Sequence, residues 1–220
     1  MMGIVKNNII GSEYVGAFAR STEDIVIAGT RLSESGERSI KEALGADVAR
    51  ASIDGSDLIG LYSVANSNCI LLPEFISRME LERFSKISIN VRVLETPLNA
   101  LGNNILANDK VAIINPEFTD REEAEIGKAL DVETVRMSIG GFRTVGANNI
   151  LTNKGLVANN MAAEEELAKL RGIFKYVSQS TANTGSLSIG LCAISNSKGL
   201  LVGEKTTGFE MARISEGLDL

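Results

Sequence analysis

The stretch "LNALGNNILANDK", residues 98–110, sets an apolar residue and a glycine, Leu101-Gly102, ahead of a short apolar run and an Asn-Asp-Lys turn. Alone it fits a phosphate loop, a glycosylation site or a hairpin. Its reading changes once the same order is found elsewhere. Val15-Gly16, Ile59-Gly60, Leu101-Gly102, Val145-Gly146 and Ile189-Gly190 repeat the pair, with glycine spacings of 44, 42, 44 and 44 residues. A fixed period of this length marks a repeat architecture.

Six or seven places after each glycine stands a polar residue, Thr22, Asn66, Asn108, Asn153 and Asn196, followed by a second apolar run: "DIVIAG", "CILLP", "VAIINP", "GLVAN" and "GLLVG". Two apolar runs around an Asn- or Gly-bearing turn predict a β-hairpin. Seventeen residues after each glycine come Ser33, Ser77, Thr119, Ala163 and Thr207, and in three copies a glutamate follows three places on: Glu80, Glu122 and Glu210. Ser/Thr-x-x-Glu is a capping box that opens a helix. Apolar residues at helical spacing then follow, as in Met211, Ile214 and Leu218. In the fourth copy Glu164, Glu165 and Glu166 suit the positive end of a helix dipole and read as a solvated helix start. An extended segment closes each of the first four units: "DVARASI" (47–53), "INVRVLE" (89–95), "ETVRMSI" (133–139) and "IFKYVSQ" (173–179). The fifth unit lacks one, and "IVKNNII" (4–10) at the N-terminus can fill its place.

The expected fold is therefore α/β: a closed, five-fold pseudosymmetric α/β propeller of strand-strand-helix-strand units of about 44 residues, one domain over residues 1–220. All-β propellers share the period but have no helix in every blade.

Composition narrows function. With 44% hydrophobic and 23% charged residues the chain can bury a core, and a formal net charge of -6 disfavours naked nucleic acid as its main partner. No apolar run reaches the roughly 20 residues that span a bilayer, and the start shows no secretion signal. Two cysteines without a CxxC pattern point to a reduced, cytoplasmic setting; Cys69 and Cys192 read as small core residues. The absence of histidine removes Ser-His and Cys-His nucleophile pairs and the common zinc motifs together. No catalytic set, cofactor motif or metal site is expected. "GGFRTVGANN" resembles a nucleotide loop, but no Lys-Ser/Thr follows and a hairpin, not a helix, is expected after it.

"NSNCILLP" (66–73), "NALGNNILANDKVAIINP" (99–116), "VGANNILTNKGLV" (145–157), "TANTGSLSIG" (181–190) and "NSKGLLVGEKTTGFEMARISEGL" (196–218) resemble, in order and over nearly the whole chain, archaeal and eukaryotic translation initiation factor 6. The resemblance implies the pentein fold, which agrees with the repeat count. It also implies a non-catalytic, monomeric anti-association factor with a further role in large-subunit biogenesis. Such a factor binds the intersubunit face of the large (50S) ribosomal subunit beside the sarcin-ricin loop, chiefly through a ribosomal protein with rRNA nearby, and blocks small-subunit joining. An acidic factor on a basic ribosomal protein is electrostatically sound. Guanidino-modifying enzymes share that fold but use Cys and His, and a plain interaction scaffold is a further alternative.

Asn115-Pro116 and Asn159-Asn160 stand where relatives commonly carry His-Pro, and Cys69 and Val111 replace the glycine that Gly199 retains. The resemblance places Gly102, Asn103 and Asn104 on the ribosome-binding face. Leu-Gly recurs in every copy, so Gly102 has a backbone explanation as well, whereas Asn103 is not a repeat feature. The turn residues Asn66, Asn108, Asn153 and Asn196 would share one end of the ring; turn formation is their first explanation, contact with the same partner the second.

Overall fold

A computed structural model describes residues 3–220. Strand β1 (Ile4–Asn7) comes first, then a 3-10 turn (Val15–Ala17), and blade 1 follows as β2 (Ala19–Ser21), β3 (Ile25–Gly29), α1 (Glu34–Leu44) and β4 (Asp47–Ala51). Blade 2 has the one-turn helix α2 (Ile59–Tyr62), then β5 (Val64–Ala65), β6 (Cys69–Pro73), α3 (Arg78–Phe84) and β7 (Asn90–Leu94). Blade 3 repeats this as α4 (Leu101–Asn104), β8 (Ile105–Ala107), β9 (Val111–Ile114), α5 (Asp120–Leu130) and β10 (Glu133–Arg136). Blade 4 comprises α6 (Val145–Asn148), β11 (Ile150–Leu151), β12 (Gly155–Asn159), α7 (Glu164–Ile173) and β13 (Tyr176–Ser180). Blade 5 has β14 (Ala193–Asn196), β15 (Gly199–Gly203) and α8 (Gly208–Leu218).

Each blade is a three-stranded sheet in which the hairpin pairs antiparallel and the strand after the helix pairs parallel to the hairpin's second arm. Blade 5 takes its outer strand from β1, parallel to β15 in the register Ile4↔Leu200 to Asn7↔Gly203. The ring is thus closed by the N-terminal strand, as the period requires.

No blade owns a core. One cluster joins Ile27 and Ile53 of blade 1 to Ile70, Leu72 and Phe84 of blade 2. Equivalent clusters join blades 2 and 3, 3 and 4, 4 and 5, and 5 and 1. Each long helix covers the sheet of the preceding blade: Ile126 and Leu130 of α5 pack with Leu71 and Leu94, and Ile40 and Leu44 of α1 with Leu201.

The structure corrects the hairpin reading at one point. The Leu-Gly pairs do not begin the first strand; Ile59-Gly60, Leu101-Gly102 and Val145-Gly146 open one-turn helices, and the inner strands start after them. "GGFRTVGANN" therefore does reach a helix, but one of a single turn, and Gly140 and Gly141 form a tight turn with φ of +63 and +79 instead of a phosphate cradle. The expected closing strands are also shorter: β10 ends at Arg136, and Ile173 ends α7 instead of opening a strand.

The helix caps form as the spacing predicts, with reciprocal boxes at Ser77/Glu80, Thr119/Glu122 and Thr207/Glu210. They do more than cap. Glu80 also accepts hydrogen bonds from the Ser52 hydroxyl at 2.7 Å and the amides of Asp54 and Gly55 at 3.0 and 2.9 Å, all in blade 1. Those amides are exposed by a turn with φ of +50 and +71, a conformation that favours glycine at the second position. Glu210 holds Thr181, Thr184 and Gly185 in the same way. Glu166, read from the sequence as solvated, accepts from Gly140 at 3.0 Å and from Ala163 at 2.8 Å, so it is a latch too. Glu164 and Glu165 stay exposed.

Burial opposes the charge of Glu80, yet the hydrogen bonds from Gly55, Ser77 and Ser52 outweigh it and hold its carboxyl down to about 2. A carboxyl depressed in the folded state stabilises fully above its unfolded value near 4.3 and loses that contribution as pH falls through its folded value. Glu80→Gln is expected to cost up to about 3 kcal/mol at neutral pH and to flatten the pH dependence of stability between about 4.5 and 2. Urea titrations of both proteins at neutral and acid pH measure this; parallel pH profiles would contradict it.

Candidate functional site

The inner strands β2, β5, β8, β11 and β14 run from the Leu-Gly pairs to the hairpin turns and surround the axis. The seven candidate residues therefore fall at two opposite ends. Gly102, Asn103 and Asn104 lie at one; Asn66, Asn108, Asn153 and Asn196 lie at the other, about 10 Å away along strands rising about 3.3 Å per residue.

At the first end the five glycines touch in a ring. A Cβ on Gly60 would sit 1.8 Å from the Gly16 carbonyl oxygen, on Gly102 1.9 Å from Gly60, on Gly146 2.2 Å from Gly102, on Gly190 2.1 Å from Gly146, and on Gly16 2.2 Å from Gly190. Gly102 is accordingly fixed by packing. Asn104 is buried; its Nδ2 donates to the Ala100 carbonyl at 3.0 Å and its Oδ1 accepts from Asn115 Nδ2 at 2.8 Å. Asn159 makes the matching bond to Asn149 in blade 4. Both non-histidine positions thus brace a one-turn helix and its strand. Asn103 differs. It is half-buried, and among the described residues its Oδ1 is enclosed without a hydrogen-bond partner.

At the second end Asn66, Asn108 and Asn196 each fold their Oδ1 onto the amides two and three places on, the reason for asparagine at such turns. The fourth member is Thr152, whose Oγ1 takes the amides of Lys154 and Gly155. With Thr22 the true series is 22, 66, 108, 152 and 196, the same spacing as the glycines. Asn153 belongs one place along, with Glu23, Ser67, Asp109 and Ser197. These five bond one another: Ser67 to Asp109, Asp109 to Asn153, Asn153 to Glu23, and Glu23 to Ser197. The amide groups of Asn66, Asn108 and Asn196 spend their Nδ2 protons on the adjoining blade, on Leu130, Thr152 and Leu44 carbonyls.

Cys69 and Cys192 are fully buried, and burial pushes both thiols up to about 11. Among the described residues no group of three His, Cys, Asp or Glu is placed to hold a metal, and no helix is long and apolar enough to cross a membrane.

A five-bladed ring of β-β-α-β units, closed through its glycines, matches solved structures at the level of fold. DDAH from Pseudomonas aeruginosa, a cysteine-to-serine mutant complexed with citrulline, superposes with a TM-score of 0.52 at 14% identity, over 76% of this chain and 68% of its own, in keeping with a pentein-type architecture. The eIF-6 family model matches residues 4–217. The chain belongs to the eIF-6 family. Relatives named translation initiation factor 6 include those of Thermoplasma acidophilum, 40% identical over 98% of this chain and 99% of the relative, and Methanocaldococcus jannaschii, 36% identical over the full length of both. Pyrococcus abyssi has another at 38%.

As an eIF-6 family member the chain combines two polar-braced ends, and the glycine end carries its most exposed apolar side chains. Both hairpin return strands and outer strands finish there, so the loops before the helices and the turns after the outer strands share this face. On it Phe209 is 77% exposed, Met79 70% and Met161 61%, joined by Ile10 and Tyr14. Sequence reasoning missed these residues because an apolar side chain at a helix start or in a turn reads as core until its packing is seen. Gly102→Ala is expected to cost more than about 3 kcal/mol, since a backbone carbonyl cannot yield to the added methyl. A denaturant midpoint within experimental error of the parent would refute the glycine ring as a packing constraint.

Proposed function

We propose that this chain is a translation factor that docks on the intersubunit face of the large ribosomal subunit and keeps the small subunit from joining. The carrying observation is the glycine-end face: Ile10, Tyr14, Met79, Met161 and Phe209 stand exposed on it, beside Asn103, whose amide no repeat duty explains. Exposed apolar residues gathered on one face mark a protein-docking surface. The relatives' shared name supplies the process.

Steric exclusion requires a rigid body, and a ring whose cores all lie between blades supplies one. The partner is chiefly a ribosomal protein beside the sarcin-ricin loop, with rRNA at the rim; a basic partner complements a chain of net charge -6. The chain works as a monomer in the cytoplasm, without a cofactor or catalysis. The glycine end is the docking end in this reading, and the turn asparagines Asn66, Asn108, Asn153 and Asn196 act only through the fold.

Sedimentation of the purified protein with separated subunits tests the proposal: co-migration with the large subunit and reduced joining are expected, whereas co-migration with the small subunit defeats it. Asn103→Ser is expected to weaken large-subunit binding while leaving the thermal midpoint nearly unchanged. A large loss of stability instead would return Asn103 to the fold.

A further inference from the structure

The axial cavity between the two ends leaves about 50 Å³ for the centres of water-sized occupants. It has one charged wall. By strand register Arg20, opposite Ile27, is equivalent to Val64, Leu106, Ile150 and Ile194, which face Leu71, Ile113, Val157 and Leu201. Four blades thus place a branched aliphatic where the first places an arginine. Arg20 Nε donates to the Ser63 carbonyl at 3.2 Å, and Nη2 to the carbonyls of Gly60 and, at 3.3 Å, Gly102. Its Nη1 makes no hydrogen bond among the described residues, and the side chain lines the cavity. No carboxylate of the described residues lies within 4.0 Å of it to form an ion pair. Glu23 and Asp109, at the far end of the axis, are already bonded to Asn153, Ser197 and Ser67.

Three carbonyls spread the guanidinium charge but carry no charge of their own, so the half-buried Arg20 keeps a net positive charge beside a narrow, partly open axial space. A partly desolvated charge without a carboxylate partner favours a contacting counter-charge. One water needs only about 10–15 Å³ by this measure, so the space admits a halide with room left over. We propose that the axial cavity holds one small monovalent anion, of the chloride class, against Nη1 of Arg20. Burial holds this guanidinium down to about 10, far enough above neutrality for it to stay charged. The anion stabilises the ring from within.

Bromide replaces chloride for the test. Anomalous diffraction from crystals of the full chain in sodium bromide is expected to show one axial peak in contact with Nη1. Water alone at that position, or bromide only on the exterior as an adventitious ion only, overturns the proposal. In solution, replacing chloride by gluconate, too large to enter, at constant ionic strength is expected to lower the thermal midpoint by about 4 °C for each tenfold fall in chloride above its Kd. Arg20→Met should abolish that dependence, and an unchanged dependence in this variant counts against the site. Should the variant not fold, the bromide map of the unaltered chain decides alone.

Discussion

The close contact of five glycines with their neighbours' carbonyl oxygens is the constraint from which the rest of the architecture follows. With no side chain at Gly16, Gly60, Gly102, Gly146 and Gly190, the one-turn segments approach to backbone distance and set the blades at a common radius. At that radius each long helix packs its apolar stripe chiefly on the sheet before its own. The five cores therefore form between blades, and each is incomplete until two units have met. A blade on its own would expose both a helix stripe and a sheet face, the condition that makes repeat units interdependent.

Polar groups then reinforce each seam at both ends. Near the glycines the helix-capping carboxylates Glu80, Glu166 and Glu210 reach back to tight turns of the preceding blade. Near the hairpin tips the turn amides reach forward to helix ends and neighbouring turns. What these latches leave exposed differs between the two ends. The tips are consumed by their own hydrogen bonds, and the three most exposed apolar side chains, Phe209, Met79 and Met161, lie at the glycine end.

The period, the hairpins, the capping boxes and the closing N-terminal strand were all legible from Gly16, Gly60, Gly102, Gly146 and Gly190 outward, because each depends on local spacing. Asn153 was misplaced by one residue because Thr152 forms the same turn with a hydroxyl, and residue type alone cannot separate the two. Glu166 looked solvated because its partner, Gly140, lies in the preceding blade. The exposed Met79 and Phe209 were invisible for the opposite reason: at a helix start an apolar residue reads as core unless the packing partner is known to be absent. Arg20 falls in the most divergent repeat, where only strand register reveals that it occupies an aliphatic position. Of the site, the sequence isolated Asn103, while the surface around it came from the packing of the blades.

The pairing of β1 with β15 has a consequence for how the ring is made. Ile4 leaves the ribosome nearly two hundred residues before its partner Leu200. Strand β1 must therefore wait for β15, and until then the fifth blade lacks its outer strand and blade 1 lacks the complete sheet that α1 covers. Contacts of such long range are slow to form, which places the β1–β15 pairing late in folding. A nascent chain of this protein must hold β1 unpaired until β15 has emerged.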